Sequence, residues 1–491
     1  MMAPETITIE RGIEPAAAII APGLAPTKLA NIQPVTPFIE SAIESRHGIV
    51  SRITAALSGS FLRKGFLSLV DQAIVSAVNF LTLVLLGRHV AHDSGGLAQQ
   101  ELGLYQLGFS IVLLAMCAQN ALIAVPYTVF GNRMEGSRRI DYAGSTLIHQ
   151  LLLAAITSAL LMFVGLGAAL GWSAAGFGNI AWLLVAVMPL ITMREFVRRI
   201  AFAHLQVSVA LVLDLAIAVL QLSGLVALKV SGQLTALTTF ITIGAACGMA
   251  ASVVGFSLRG KFELRRAVVW PDLMLNWAFG KWAFAGQAVY LLMVYGISWL
   301  LAAFESTEAT GRYAACMSLV LVANPLLLGL NNFLSPHAIQ TFHTDGLAAM
   351  RRVLLRTMIA VCSVVGVLCA MLVFGGGALL AMIYNQRFEG AQQIVSVLSL
   401  NLFMYAVSMS AENGLLALGR PKAICSAHVI GLIVTMIAAV VLIKTNGVLG
   451  AAIAGVIGQT VATVWKCLLL GIIVREHTEK EPAIPALEFN H

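Results

Sequence analysis

Residues 66–87 read FLSLVDQAIVSAVNFLTLVLLG. A single acid, Asp71, interrupts an apolar run that, at about 1.5 Å per helical residue, is long enough to cross a hydrocarbon core of roughly 30 Å. Barrel strands would be half as long and would alternate. Arg63 and Lys64 precede the run and Arg88 follows it. The unit recurs along the chain: apolar stretches fall at 66–87, 103–127, 143–169, 179–202, 205–228, 234–257, 277–303, 311–334, 353–374, 391–417, 423–443 and 447–474. The least distinct ends are at 202–205 and at 375–391, where Gly375–Gly377 interrupts the pattern. Composition agrees. The chain is 59% hydrophobic and 11% charged, with mean hydropathy +0.89, whereas a soluble domain carries roughly 25% charged residues. The expected fold class is therefore an all-α polytopic membrane protein of about twelve transmembrane helices.

The charges orient it. Of the 30 Lys and Arg, 24 are counted on one side, with the two tails and the even-numbered connections and including Arg194, Arg198 and Arg199 near the end of their span; five (Arg88, Lys229, Arg312, Arg387, Lys444) are counted on the other, and Lys466 lies within the last span. Excess Lys and Arg on one side marks the cytoplasm, so both termini are expected there, in a multi-pass protein of a cell membrane. The net charge of +7 then reflects topology, and no nucleic-acid partner is expected. All seven cysteines lie inside spans without a CxxC pair, so neither a disulfide framework nor a metal site is expected.

A weak internal repeat runs at a lag of about 210 residues. Gly103-Leu104-Tyr105 opens one span and Gly311-Arg312-Tyr313 another; each is followed by an apolar run, a proline (Pro126, Pro336) and a basic pair (Arg138-Arg139, Arg351-Arg352). Lys64-Gly65 is mirrored by Gly280-Lys281. Six helices per repeat return the chain to its starting face, so the repeats are parallel, with a site expected between them near the midplane. The expected organisation is a cytoplasmic, disordered tail over 1–60, a six-helix bundle over 61–258, a cytoplasmic linker over 259–281, a second bundle over 282–475 and a short tail over 476–491. A surface helix near Ile39–Leu57 is the alternative for the first tail.

FLRKGFLSLVDQAIVSAVNFLTLVLLGRHV (61–90) followed by ELGLYQLGFSIVLL (101–114) resembles the opening of prokaryotic polysaccharide flippases of the multidrug/oligosaccharidyl-lipid/polysaccharide exporter superfamily. GKWAFAGQAVYLLMVYGISWLLAAFESTEATGRYAACMSLV (280–320) repeats it, and ENGLLALGRPKA (412–423) is similar to the same family. The resemblance spans roughly residues 60–475. It implies movement of a lipid-linked oligosaccharide across the cytoplasmic membrane, or drug export in the multidrug branch.

Site candidates are polar residues at membrane depth. Span 1 carries Asp71 and Asn79 with Ser68, Gln72 and Ser76 on one face of about 140°. Asp71 lies roughly 10 Å past Lys64 along the helix, where a carboxylate needs water or a partner. It is read either as a cavity-lining, ion-coupling group or as an acid paired to Arg63 or Lys64. Asp214 and Glu412 are further candidates for ion coupling; a structural pair and an interfacial role compete with that. His149 and His428 are read as packing or hydrogen-bonding residues, with a proton carrier as the alternative. Arg63, Lys64 and Lys281 at one mouth, Arg88 and Arg312 at the other, and Lys466 within the last span are candidate partners of a pyrophosphate head group. Gln287, with Tyr290 and Tyr295, is a candidate sugar contact, although amides also join membrane helices.

Three functions are expected in this order. The first is flipping, by alternating access, of a polyprenyl-pyrophosphate-linked oligosaccharide such as an exopolysaccharide or O-antigen repeat unit. The second is cation-coupled multidrug export. A membrane glycan polymerase or ligase ranks last, because the longest outer connections, 88–102 and 375–390, hold no acid/base constellation. The absence of a Walker A sequence argues against ATP hydrolysis. No cofactor is expected beyond a coupling proton or sodium ion. The expected partners are the lipid-linked oligosaccharide, membrane lipids, and a polysaccharide polymerase with export components.

Overall fold

The computed structural model describes residues 60–88, 95–171, 176–204, 206–258, 263, 265–384 and 390–480. Contacts group the chain into two units, Met1–Arg63 and Lys64–His491. Of the first, only the helical turn 60–63 is described; the rest of the expected N-terminal tail lies outside the described residues, as do residues 481–491 of the expected C-terminal tail.

The second unit is helical throughout its described elements. Its first half holds α1 (Ser60–Gly87), α2 (Gly95–Gln119), a π-helical turn (Asn120–Ala124) leading into α3 (Val125–Gly131), α4 (Gly136–Ala169), α5 (Phe177–Ala203), α6 (Val207–Val230) and α7 (Ala236–Leu258). Its second half holds α8 (Arg266–Phe304), α9 (Thr307–Leu321), α10 (Asn324–Tyr384), α11 (Gln392–Ala417) and α12 (Pro421–Lys480). Among the described residues ten helices are long and apolar enough to cross a membrane. The protein is an all-helical, multi-pass membrane protein.

Two of the ten are hairpins. Gly447 leaves helical geometry at φ 54°, a region open to glycine. Around it Trp465 Nε1 donates to Ser426 Oγ at 3.3 Å and Lys466 Nζ lies 2.9 Å from His428 Nε2, so the arms 421–446 and 448–480 run antiparallel. Gly346 (φ 78°) breaks α10 similarly. A straight helix would hold residues 331 and 354 about 34 Å apart. Yet Asn331 accepts a hydrogen bond from Asn413, while Leu354 packs against Gly414. With each arm taken as its own crossing, the ten helices become the twelve apolar runs expected.

Prolines shape two helices. Pro126 has no N–H for the Leu122 carbonyl, and the chain widens there into the π turn. Pro325 likewise ends α9 at Leu321, and the chain restarts as α10. Two expectations differ from the structure. The stretch 259–281 is helical from Arg266 and continues into the 39-residue α8. Gly375–Gly377 does not interrupt its helix; there α10 comes close to Val395 and Gln392 of α11.

The halves touch at both ends. At the far end, to which α1 runs, α2 crosses α9 at the repeated glycines: a Cβ on Gly103 would run into the Thr307 carbonyl, and one on Gly311 into that of Gln99. At the same end Arg88 donates to the carbonyl oxygens of Met382, at 2.6 Å, and Ile383. At the near end Gly280 of α8 lies against the Ala121 carbonyl of the π turn. There Arg138 pairs with Asp272, and Tyr142 donates to Asn276 at 2.7 Å.

Candidate functional site

Helix α5 places four charges in six residues, Arg194, Glu195, Arg198 and Arg199, inside an otherwise apolar segment. Helical spacing brings Arg194 and Arg198 onto one face, and both reach Asp214 of α6. Arg198 Nε donates to Asp214 Oδ2 at 2.5 Å, while Arg194 holds Oδ1. The other arm of Arg198 donates to Asp71 Oδ2 of α1 at 2.5 Å, and Arg199 donates to Glu195 at 2.7 Å. Asp71, Glu195, Asp214 and Arg198 are all at most 6% exposed. Three carboxylates and three guanidinium groups cancel, as burial in a low-dielectric interior requires.

A cavity of about 250 Å³ lies inside the first bundle, with Asn79, Arg194, Asp214 and Gln221 at its polar side and Tyr105, Phe109 and Phe240 in its wall. Gln221 donates to Thr82 at 2.9 Å.

The second bundle has its own buried cluster. Lys466, 2% exposed, donates to Glu412 at 2.7 Å and to Ser408 at 3.1 Å, and its ammonium lies 2.9 Å from His428 Nε2. The Glu412 side chain is a third exposed. The Tyr290 ring lies tilted against His428, ring centroids 5.2 Å apart, and against Tyr405 at 6.2 Å.

Between the halves is an open cleft of about 420 Å³. Leu113, Met116, Asn120 and Arg199 line one side; Phe279, Ala283, Gln287 and Leu291 of α8 line the other. Arg199 is the charged group among these lining residues.

The structure thus brings Asp71 and Asp214 together through Arg198, and joins Glu412 to Lys466. Asp71 is paired with Arg198, on another helix. Gln287 lines the cleft and Asn79 the cavity. Lys281 is exposed, its ammonium 5.9 Å from the Trp282 ring. Arg312 is half-buried beside the Gly103–Gly311 crossing, and Arg88 caps carbonyls of α10. The side chains of Arg63 and Lys64 lie outside the described residues. Sequence reasoning missed the α5 cluster as a site, having counted its arginines as topological charge. The signal was present: Arg194 and Arg198 fall inside the expected span 179–202, where a charge must be partnered.

At the level of the fold, this arrangement of helices is similar to that of solved transporters of the MOP superfamily. An inward-facing multidrug resistance MATE family transporter of that superfamily shares it at TM-score 0.67 and 12% identity, over 82% of this chain and 99% of that one. A MOP superfamily transporter from Pyrococcus furiosus matches at TM-score 0.62 and 12% identity, over 85% and 96%. The lipid II flippase MurJ, in an inward closed conformation, matches at 0.60 and 13%, over 84% and 87%. No family model and no curated protein matches the sequence.

Proposed function

We propose that this protein is a transporter that flips a polyprenyl-pyrophosphate-linked oligosaccharide across the bacterial cytoplasmic membrane by alternating access. The inter-bundle cleft carries this reading. It offers the Arg199 guanidinium beside two amides, Asn120 and Gln287, and no acid among its lining residues. A guanidinium fork suits a pyrophosphate, and amides suit sugar hydroxyls. A cationic drug would instead call for a free carboxylate. Asp71 and Asp214 already hold guanidinium groups, which weighs against the multidrug reading. The cleft lies within the roughly 300–1,000 Å³ of small-ligand sites. It holds a head group and its proximal sugar rather than a whole repeat unit, so passage requires the bundles to part. Lys64 and Lys281 would meet the head group at the cytoplasmic mouth, and Arg88 and Arg312 would meet it on the far side.

The test is movement of a labelled polyprenyl-pyrophosphate oligosaccharide in proteoliposomes, run beside efflux of a cationic dye. Arg199→Ala should slow glycan-lipid movement at least about tenfold, as the loss of one charge-assisted contact implies, and Arg199→Lys should keep part of it. Dye efflux without glycan-lipid movement would replace this reading with a multidrug exporter.

A further inference from the structure

The two buried clusters occupy equivalent places in the two repeats. Asp71 and Tyr290, Glu195 and Glu412, and Asp214 and His428 are 219, 217 and 214 residues apart, close to the lag of the repeat itself. Each triplet includes members held by one long cationic side chain, and Tyr290 joins the second through the His428 ring. In the first bundle that side chain is Arg198, from α5. In the second it is Lys466, from the last arm of α12.

The chemistry of the pair differs. A guanidinium stays charged at any accessible pH, so the first cluster is a fixed set of ion pairs. Among the groups facing one another in the second, Glu412 and Tyr405 on α11, His428 and Lys466 on α12 and Tyr290 on α8, every ionisable member can gain or lose a proton. Glu412 reaches the open side, with a third of its side chain exposed, while His428 and Lys466 lie behind it. Lys466 donates into the His428 Nε2 lone pair, which leaves the ring proton on Nδ1. Protonating Nε2 would set two cations 2.9 Å apart. An added proton is therefore directed to the Glu412 carboxylate, where it replaces the ammonium contact, and away from His428.

We propose that Glu412, His428 and Lys466 form a proton-exchange site in the second bundle, at which an incoming proton competes with the Lys466 ammonium for the Glu412 carboxylate. The proton adds to a carboxylate oxygen, giving the neutral acid, and the ammonium keeps Ser408 and His428 as acceptors. The proton returns to water when the ion pair re-forms. His428, 3.9 Å from Glu412, stays neutral and holds the ammonium in place while the carboxyl carries the proton. Gln287 of the cleft lies one turn before Tyr290 on α8, so substrate and proton address the same helix. This deepens the transport reading, on which its second readout rests.

The first readout needs no substrate. Infrared pH-difference spectra of the full chain in liposomes report carboxyl protonation. Subtraction should show a titrating carboxylic C=O band that is lost in Glu412→Gln and retained in Asp71→Asn and Asp214→Asn. In Lys466→Gln the cation that competes for the carboxylate is gone, and the band should persist to higher pH. A spectrum unchanged by Glu412→Gln, or a band lost in Asp71→Asn or Asp214→Asn instead, overturns the proposal. The second readout is glycan-lipid movement with and without an imposed pH gradient. Stimulation, read as the ratio of movement with and without the gradient, should fall to about one-fold in Glu412→Gln, His428→Gln and Lys466→Gln. Stimulation that persists in all three overturns proton exchange here. If no glycan-lipid moves even in the unaltered protein, the substrate reading fails and the infrared result still decides the site.

Discussion

Arg198 is the side chain on which the first bundle's polar interior converges. It is 6% exposed, contacts Asp71 and Asp214, and approaches Glu195 at 3.4 Å. Removing it leaves two buried carboxylates short of a partner; a broken buried pair typically costs about 3–5 kcal/mol. Arg198→Met should therefore lower the heat-denaturation midpoint in detergent more than Asp71→Asn, which leaves Arg198 with Asp214 and Glu195. Equal midpoints would mean that the network does not hold the bundle. Asp71 could be recognised in the sequence because an acid in the middle of an apolar run must face something. Its partner was not legible. Arg198 lies 127 residues away on a helix whose facing surface depends on packing, and a nearer cation, Lys64, competed on paper. Glu412 and Lys466 were likewise visible as separate oddities, each in its own span, but not as a pair.

Helices were the most legible level, since each is specified by a contiguous run of apolar residues. The departures from that reading have local causes. Gly375–Gly377 is a breaker by propensity, yet in lipid a small residue also lets two helices approach, and α11 fills the space its missing Cβ atoms leave. The stretch 266–281 resembles a connection because it follows the basic run Arg259–Arg266 and contains Pro271. Its polar residues Asp272 and Asn276 instead face Arg138 and Tyr142 of α4, and Pro271 falls early in the helix. At this level the Gly103–Gly311 crossing makes a prediction. Gly103→Val would force α2 from α9, because the new side chain meets backbone rather than a movable side chain. Spin labels at the exposed positions Leu97 and Glu308 should report a longer distance distribution in that variant. An unchanged distribution would show that the crossing is not close-packed.

At the scale of the whole molecule the tandem of two helical bundles is a proposal that rests on the lag between Gly103-Leu104-Tyr105 and Gly311-Arg312-Tyr313, and that lag could be read from the sequence. The matched polar clusters could not, because their residue types differ between repeats: Asp71 answers to Tyr290, and Asp214 to His428. Charge asymmetry makes the prediction at this scale. A single cysteine at Arg265, whose side chain is 69% exposed, should resist an impermeant reagent applied from outside the cell, and one at the exposed Ser231 should react. Labelling at 265 would invert the topology drawn from 24 basic residues against five.

Gly447 joins the last two crossings through a single non-helical residue. So short a joint gives the arms no slack to slide past one another, and His428 and Lys466 travel together as two points on one stiff fork. Glu412 rides on a separate beam, α11. Shifting the grip between carboxylate and ammonium would therefore not deform the fork. It would swing it as a lever about the glycine, and the motion would be largest at the end farthest from Gly447, where the cytoplasmic mouth is proposed to open.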